Sequence, residues 1–268
     1  MATWKQILGL RNNMENWRFI DDQETFEGAR NLAIDEAIFI NKIVNNTPTT
    51  VRFWRNQKTV NVGYSQTVKA EVNLDVCKKE KIEVVRRFSG GGTVYQDLGT
   101  LNYTVVIDFN HPLVSGLDVE QTLKKLCKGI ITSLKILGLD PIFKPPSDVL
   151  VKNKKVSGNA QARRKNVVLQ HGTLLVNTNL GLLNEVLNVP NFCRAIKGVA
   201  SRRSPVTNLL GELNMQTSME TVREALRQGF ERSFSIRLIE GDLNEEERRL
   251  AKKLYEEKYS KKEWTFWR

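Results

Sequence analysis

Three consecutive glycines, Gly90, Gly91 and Gly92, stand between two β-like stretches and constrain this chain more than any other feature. Without Cβ atoms the backbone there can turn sharply and bring its N–H groups against a ligand, whereas a helix or regular strand is weakened by such a run. Strand-like sequence enters it over Ile82 to Phe88 and resumes from Leu101 to Phe109, after Asp97-Leu98-Gly99. Arg86-Arg87-Phe88-Ser89 precedes the run and Thr93-Val94 follows it, so guanidinium groups suited to phosphate lie beside it. Nucleotide or acyl-adenylate binding is the functional reading; a flexible hairpin or β-bulge is what a lone glycine run more often forms. The run is not a phosphate-binding P-loop, because it has no G-x-x-x-x-G-K-[ST] pattern and opens no helix.

The surroundings are those of a globular enzyme. The 268 residues are 40% hydrophobic and 26% charged, which excludes disorder throughout and provides a core large enough to fold without disulfides. Helical spacing of Leu32, Ile34, Ala37, Ile38 and Ile43 predicts a helix from Gly28 to Val44. Thr50 to Arg55 and Thr59 to Tyr64 read as two strands of an antiparallel hairpin. Asp118 to Leu137 reads as one amphipathic helix that stops at Gly138. Short strands are expected at Val149 to Val151 and Val167 to Val176, with a polar, basic connection over Lys152 to Asn166. Helical signals return at Leu180 to Leu187, Met219 to Phe234 and Asn244 to Tyr259. No repeat or low-complexity linker divides the chain, so one domain over 1–268 with a helical end over 219–268 is expected.

Lysine plus arginine number 41 against 30 acidic residues, a net charge of +11 that favours polyanionic ligands or acidic protein partners. No aromatic-plus-basic nucleic-acid module appears, and no nucleic-acid partner is expected. Cys77, Cys127 and Cys193 are too few and too scattered for a disulfide framework or a zinc site. The opening Met1-Ala2-Thr3-Trp4-Lys5 has no apolar stretch of signal-peptide length, and no window is long enough to span a membrane. A cytoplasmic protein is the expectation.

Two further constellations carry chemistry. Ser147-Asp148-Val149-Leu150-Val151 precedes Lys154-Lys155-Val156-Ser157-Gly158-Asn159-Ala160-Gln161, and Gln170-His171-Gly172-Thr173 follows. A lysine beside a Ser-Gly turn can place a point charge on a carboxylate or an α-phosphate, and an aspartate nearby could hold Mg²⁺. Taken singly, Lys155 reads as a surface charge and His171 as a packed histidine. Lys197-Gly198-Val199-Ala200-Ser201-Arg202-Arg203-Ser204-Pro205-Val206-Thr207-Asn208-Leu209 is a basic loop able to close over an anion, or a solvated turn.

Taken together and in order, these segments resemble the lipoate–protein ligase family, which is related to biotin protein ligases and to the octanoyltransferases of lipoate assembly. The likeness runs from Asn31-Leu32-Ala33-Ile34-Asp35-Glu36 through Phe53-Trp54-Arg55-Asn56, Arg86 to Gly99, Lys155 to Thr173 and Lys197 to Leu209, to Glu263-Trp264-Thr265-Phe266. It implies an α+β fold like that of class II aminoacyl-tRNA synthetases: a large, mainly antiparallel mixed sheet, a smaller sheet, and helices packed outside. It also implies a two-step reaction. Lipoate or octanoate would react with Mg·ATP to give acyl-AMP, and the acyl group would pass to a lysine of a lipoyl domain of a 2-oxoacid dehydrogenase E2 subunit or of the glycine-cleavage H protein.

By the same resemblance, Lys155 is the catalytic residue and Asp148 a Mg²⁺ ligand. Trp54 and Val62 would flank the acyl tunnel. Arg87, Ser89, Gly91, Gly92, Thr93, Val94, Gln96 and Asn102 would line the acyl-adenylate, with Ser157, Gly158, Ala160, His171 and Thr173. Gln96 stands where the family usually has histidine before Asp-Leu-Gly, and its amide can still donate and accept. The chain ends at Trp267-Arg268, about where larger ligases continue into an accessory domain, so a separately encoded accessory protein or transfer of preformed acyl-adenylate is implied. The alternative is an octanoyl or lipoyl transferase with an acyl carrier protein or another lipoyl protein as donor. Acyl-enzyme transferases carry a cysteine just before the aspartate position; here Asp140 to Ser147 has none, which favours ATP-dependent ligation.

Overall fold

Thr50–Asn56, Thr100–Asp108 and Val167–Leu175 are rich in β-branched and aromatic residues, and each is buried almost from end to end. Strands of that kind are stable only inside a sheet covered on both faces, and the computed structural model, which describes residues 14–188, 200–213 and 217–268, places them there. In chain order, short helices aside, the elements are β1 (Glu15–Phe26), α1 (Gly28–Asn45), β2 (Thr50–Asn56), β3 (Thr59–Val62), β4 (Glu83–Arg86), β5 (Val94–Gln96) and β6 (Thr100–Asp108). They continue with α2 (Val119–Leu126), α3 (Lys128–Ile136), β7 (Pro141–Lys144), β8 (Asp148–Val151), β9 (Lys154–Arg164) and β10 (Val167–Leu175). After these come α4 (Leu180–Val186), α5 (Met219–Phe234), β11 (Ile236–Glu240) and α6 (Glu245–Leu254). Cys193, Lys197-Gly198-Val199 and the opening residues Met1 to Lys5 lie outside the described residues.

The large sheet has eight strands in the order β11-β1-β2-β6-β10-β9-β8-β7, and the small one has three in the order β4-β3-β5. Only the β1 pairings in the large sheet are parallel. One face of the large sheet carries the main core, where Trp17, Phe53, Tyr103, Val105, Leu126, Ile130 and Phe230 meet beneath α3 and α5. The opposite face packs Val106, Val167 and Leu169 against Ile38 and Phe39 of α1. The small sheet closes its own core with Val60, Val62 and Tyr95 against Leu182, Leu183 and Val186 of α4. The N-terminus of α1 has no side-chain cap of its own; instead Glu83 of β4 accepts hydrogen bonds from the N–H groups of Gly28 at 2.5 Å and Ala29 at 3.2 Å. That carboxylate answers the positive end of the helix and ties it to the small sheet.

Several expectations change. Thr50 to Arg55 and Thr59 to Tyr64 do not form a hairpin: β2 is flanked by β1 and β6, β3 by β4 and β5, so the connection crosses from one sheet to the other. The polar stretch Lys152 to Asn166 is largely strand β9, whose pairing with the fully buried β10 overrides a sequence poor in strand formers. The helix over Asp118 to Leu137 breaks at Cys127 into α2 and α3, beside Gly129, which lies against the Phe230 ring of α5. The end over 219–268 is not wholly helical, since β11 adds a strand beside β1. No helix among the described residues is long and apolar enough to cross a membrane.

The α3–α5 contact depends on absent side chains. A Cβ built on Gly229 would lie 2.5 Å from the carbonyl oxygen of Gly129 and 2.7 Å from the amide nitrogen of Ser133. Gly229→Ala gains about 1 kcal/mol of helix propensity, but the obstructing atoms are backbone and overpacking costs ~1–3 kcal/mol. The expected outcome is net destabilisation, read as a lower urea midpoint at unchanged slope; a raised midpoint would contradict this packing.

Candidate active site

On the α1 face of the large sheet, side chains from successive strands line up in rows because each pairing register matches residues of the same pleat parity. One row runs Arg52, Thr104, His171, Ala160 across β2, β6, β10 and β9. The next runs Trp54, Asn102, Thr173, Gly158 and ends at Asp148 on β8. These rows contribute to the wall of a cavity of about 670 Å³, which the glycine run and residues 200–204 also line.

Lys155 reaches this cavity because the strand is irregular. Register shifts between Val149 and Leu150 of β8, so Val149 pairs with Ser157 while Leu150 pairs with Lys155. The extra residue, Val156, turns into the main core, and Lys155 emerges on the same side as Gly158 and Asp148. Its Nζ lies 2.7 Å from Asp148 Oδ1. A Cβ on Gly158 would sit 2.7 Å from both Cε and Nζ of Lys155, so only glycine leaves room for the ammonium there. The Lys155 backbone bonds to Pro205 and Thr207, which anchors the 200–207 loop beside the site.

The glycine run is wrapped round Arg87. Its guanidinium donates to the carbonyls of Asn61, Gly90 and Gly92 and to Ser89 Oγ, while Gly91 adopts φ +88°, open to glycine at little cost. Gly63 is packed so closely beneath it that a Cβ would fall 2.0 Å from the Gly91 carbonyl oxygen. Ser201 latches the basic loop onto the run, its Oγ accepting from the Thr93 N–H at 2.9 Å and from Gln66 Nε2 at 2.9 Å. With its carbonyls so occupied, the run leaves the N–H groups of Gly91 and Gly92 without a protein partner among the described residues.

Electrostatics favour an anion. Among the described lining residues, Arg87, Lys144, Lys155, Arg202 and Arg203 face a single carboxylate, Asp148. Arg87 is 3% exposed with no acidic partner among the described residues; burial and then the neighbouring Arg86 push it down to about 10, still protonated at neutral pH. A buried cation short of counter-charge is stabilised by a carboxylate or phosphate entering the site. At the Trp54 end a ladder of amides determines polarity. Arg52 donates to Asn31 Oδ1, Asn31 to Asn56 Oδ1, Asn56 to Gln96 Oε1 and Gln96 to Asn102 Oδ1. Arginine can only donate, so every amide in the ladder is oriented and Asn102 Nδ2 is left as an unpartnered donor. Gln96 thus has a structural place as the ladder's fourth member.

Of the expected site residues, Trp54, Arg87, Gly91, Gly92, Thr93, Val94, Gln96, Asn102, Asp148, Lys155, Gly158, Ala160, His171 and Thr173 line the cavity. Three do not. Val62 is buried in the core of the small sheet, Ser157 is fully buried and pairs with Leu174 of the main core, and Ser89 lies behind the run with its Oγ 2.6 Å from His171 Nε2. Lys144, Pro145, Pro146 and Asn61 also line the cavity and were not anticipated, and so do Ser147 and Asn159, which the sequence placed in the second constellation without a site role. The position of Ser147 next to Asp148 was the available signal.

A family model described as the lipoyl protein ligase A/B catalytic domain matches residues 27–231. The chain belongs to that family. It is 36% identical over 245 residues to lipoate-protein ligase A subunit 1 of Thermoplasma acidophilum, covering 87% of this chain and 90% of that one. It is also 33% identical over 270 residues to the octanoyltransferase LipM of Carboxydothermus hydrogenoformans, covering 94% and 99%. Among solved structures, the bipartite lipoate protein ligase of T. acidophilum, described with its E2 lipoyl domain, superposes with a TM-score of 0.80 at 34% identity, covering 94% of this chain and 96% of that one. A lipoate-protein ligase A bound with ATP gives a TM-score of 0.80 at 32% identity, with 94% and 99% covered. The expected architecture of a large mixed sheet, a small sheet and flanking helices is therefore the family's fold.

Whether the site could hold a Mg²⁺ brought in with a nucleotide is tested by its donor set. Among the described residues no group of three or more His, Cys, Asp or Glu could hold a metal. Asp148 spends one oxygen on Lys155, and its other has no hydrogen-bond partner among the described residues. That fits Mg²⁺ carried mainly by phosphate oxygens and water, with one protein carboxylate. Neither described cysteine is suited to nucleophilic chemistry at the cavity: burial pushes the Cys77 thiol up to about 11 and the Cys127 thiol up to about 12, and neither lines it.

Two outcomes check this geometry. Gly158→Ala displaces only the flexible end of Lys155, so the melting midpoint is expected to hold while turnover falls by roughly 10–100-fold; full activity would place the ammonium elsewhere. At pH 8 both buried thiols are below their raised pKa values and almost wholly protonated. Mass-mapped alkylation of the native chain is therefore expected to spare Cys77 and Cys127 until denaturant is added, and rapid native labelling of either would contradict their burial.

Proposed function

We propose that this chain is a lipoate–protein ligase catalytic subunit. It forms acyl-AMP from lipoate or octanoate with Mg·ATP and transfers the acyl group to a lysine of lipoyl domains or H protein. The observation that carries this reading is Lys155 held beside Asp148 at the edge of a cation-rich cavity with no thiol among its described lining residues. Two anions, a carboxylate and a triphosphate, must be brought together before acyl-AMP can form, and five cations offset their repulsion. Lys155 would bind the carboxylate and α-phosphate oxygens and stabilise the charge that develops between them. The free N–H groups of Gly91 and Gly92 would orient the same anion, and the loop latched by Ser201 would limit water. Mg²⁺, when bound with ATP, neutralises phosphate charge; Asp148 is the protein group that would hold it.

The ATP-bound and bipartite relatives support activation and a separately encoded accessory protein, and the E2 lipoyl domain described with the latter supports a lipoyl-domain acceptor. The net charge of +11 suits an acidic acceptor. A second reading, octanoyl transfer from an acyl carrier protein, is favoured by the LipM relatives. It requires a nucleophile that neither of the described cysteines, Cys77 and Cys127, supplies.

Lipoate-dependent exchange of labelled pyrophosphate into ATP separates the two. Exchange by the chain, alone or with its accessory partner, is expected, and an octanoyltransferase would show none. Lys155→Ala is expected to keep its melting curve and lose about 100-fold or more of the exchange rate, as removal of one charge-stabilising donor does elsewhere. Unchanged exchange in that variant would remove Lys155 from the mechanism.

A further inference from the structure

Asp35 lies on α1, behind the sheet that forms the cavity wall, and is 0% exposed. Its Oδ1 accepts from Arg52 Nη1 at 2.8 Å. Its Oδ2 accepts from Thr104 Oγ1 at 2.7 Å and lies 3.3 Å from His171 Nδ1. Each contact on Oδ2 leads to the cavity. Thr104 Oγ1 accepts from the indole Nε1 of Trp54 at 3.0 Å, and Trp54 is a lining residue. His171 also lines the cavity, and its Nε2 lies 2.6 Å from Ser89 Oγ, which in turn accepts from Arg87 Nε at 3.1 Å.

We propose that Asp35 is a positioning residue for the acyl-activation site, one carboxylate that orients Trp54 through Thr104 and Arg87 through His171 and Ser89. For a neutral His171 imidazole the proton inventory allows one arrangement. A carboxylate paired with Arg52 only accepts, so the His171 proton sits on Nδ1 and Nε2 accepts from the Ser89 hydroxyl. Ser89 then presents a lone pair to Arg87, which holds that guanidinium against the carbonyls of Gly90 and Gly92. The arrangement resembles the Ser-His-Asp order of hydrolases in its hydrogen bonds, but Ser89 is 1% exposed and does not line the cavity, so it acts on Arg87 rather than on substrate.

Asp35→Asn tests this without changing shape. Arg52 can only donate, so the amide oxygen must face Arg52 and the amide NH₂ must face Thr104 and His171. His171 is then forced to accept at Nδ1 and carry its proton on Nε2, and the Ser89 hydroxyl loses its acceptor. Arg52 keeps Asp22 as a partner at 2.7 Å, so the buried cation is not stranded.

The chain has two histidines, which makes the tautomer directly readable by ¹⁵N NMR of the imidazoles. His111 serves as an internal reference. Its Nδ1 accepts from the Leu113 N–H at 3.1 Å and its Nε2 lies 2.8 Å from Glu15, the opposite tautomer to that assigned to His171. A His111→Asn variant assigns the signals. The expected result is an Nδ1-protonated His171 in the wild-type chain, an Nε2-protonated one in Asp35→Asn, and a loss of kcat of about 10–100-fold, the range seen when an outer-shell orienting partner is removed.

Several results would overturn the relay: an Nε2-protonated His171 in the wild type, an unchanged tautomer in Asp35→Asn, or a switched tautomer with full turnover. Should Asp35→Asn not fold, the wild-type spectrum and Ser89→Ala decide. Ser89→Ala is expected to preserve the His171 tautomer and lower the rate, and full activity in it would break the link to Arg87. The inference rests on the acyl-activation reading, but the spectra need no turnover. An Nδ1-protonated His171 in a chain that catalyses no pyrophosphate exchange would support the relay and count against the activation reading.

Discussion

The buried guanidinium of Arg52 sets the polarity of the structure around it. It is 0% exposed and is paired with Asp22 and Asp35. Such a pair is weak evidence for stability, because desolvating the charges costs about as much as their attraction returns. Its effect here is directional. A group that can only donate determines which atom each neighbour must present, and that choice passes outward through two chains of hydrogen bonds. One runs through Asn31, Asn56 and Gln96 to Asn102, the other through Asp35 to His171 and, by way of Thr104, to Trp54. Both end on residues that line the cavity, so the chemical face shown to a ligand is decided partly beneath the sheet.

Around that frame the site is assembled from two sheets and a loop. The large sheet supplies the rows of Trp54, Asn102, Thr173, Gly158 and Asp148, the small sheet supplies the strands that flank the glycine run, and the basic loop is tied to the run by Ser201 and to the large sheet by the Lys155 backbone. Positive charge is concentrated where they meet, and Arg87 is held there by carbonyl oxygens and the Ser89 hydroxyl, with no counter-charge among the described residues. A site so arranged has a standing affinity for anions that a closed, self-neutralised core lacks. The β-bulge of β8 and β9 completes it by turning Lys155 out of the core and onto the cavity side.

Ligases and octanoyltransferases of comparable identity to this chain share the scaffold, so the fold alone does not separate them. The distinction proposed here is local: a cation placed to stabilise charge during activation, against a nucleophile able to carry the acyl group. In this chain the described cavity contains the first and no thiol for the second.

The sequence by itself determined the family likeness, the glycine run and most of the residues round the cavity, because glycines at a close approach and polar residues within apolar strands have few substitutes. Gln170, His171 and Thr173 stand out in β10 for that reason. It also located α1, α5 and the three central strands, whose periodicities are unambiguous. It misplaced the β2–β3 connection, because a short polar link looks the same whether a strand folds back or crosses to another sheet. It missed β9, whose composition yields to pairing with β10, and it could not assign Val62, Ser89 and Ser157 to the core, since a strand's two faces are distinguished only by what packs on each. Only the tertiary structure could show that Lys155 faces the site, because the one-residue bulge at Val156 puts Lys155 on the face that unbroken alternation from Gly158 would deny it. The role of Asp35 likewise appears only when α1 is laid against β2, β6 and β10, since its partners are distant in sequence and nothing in its local surroundings marks it.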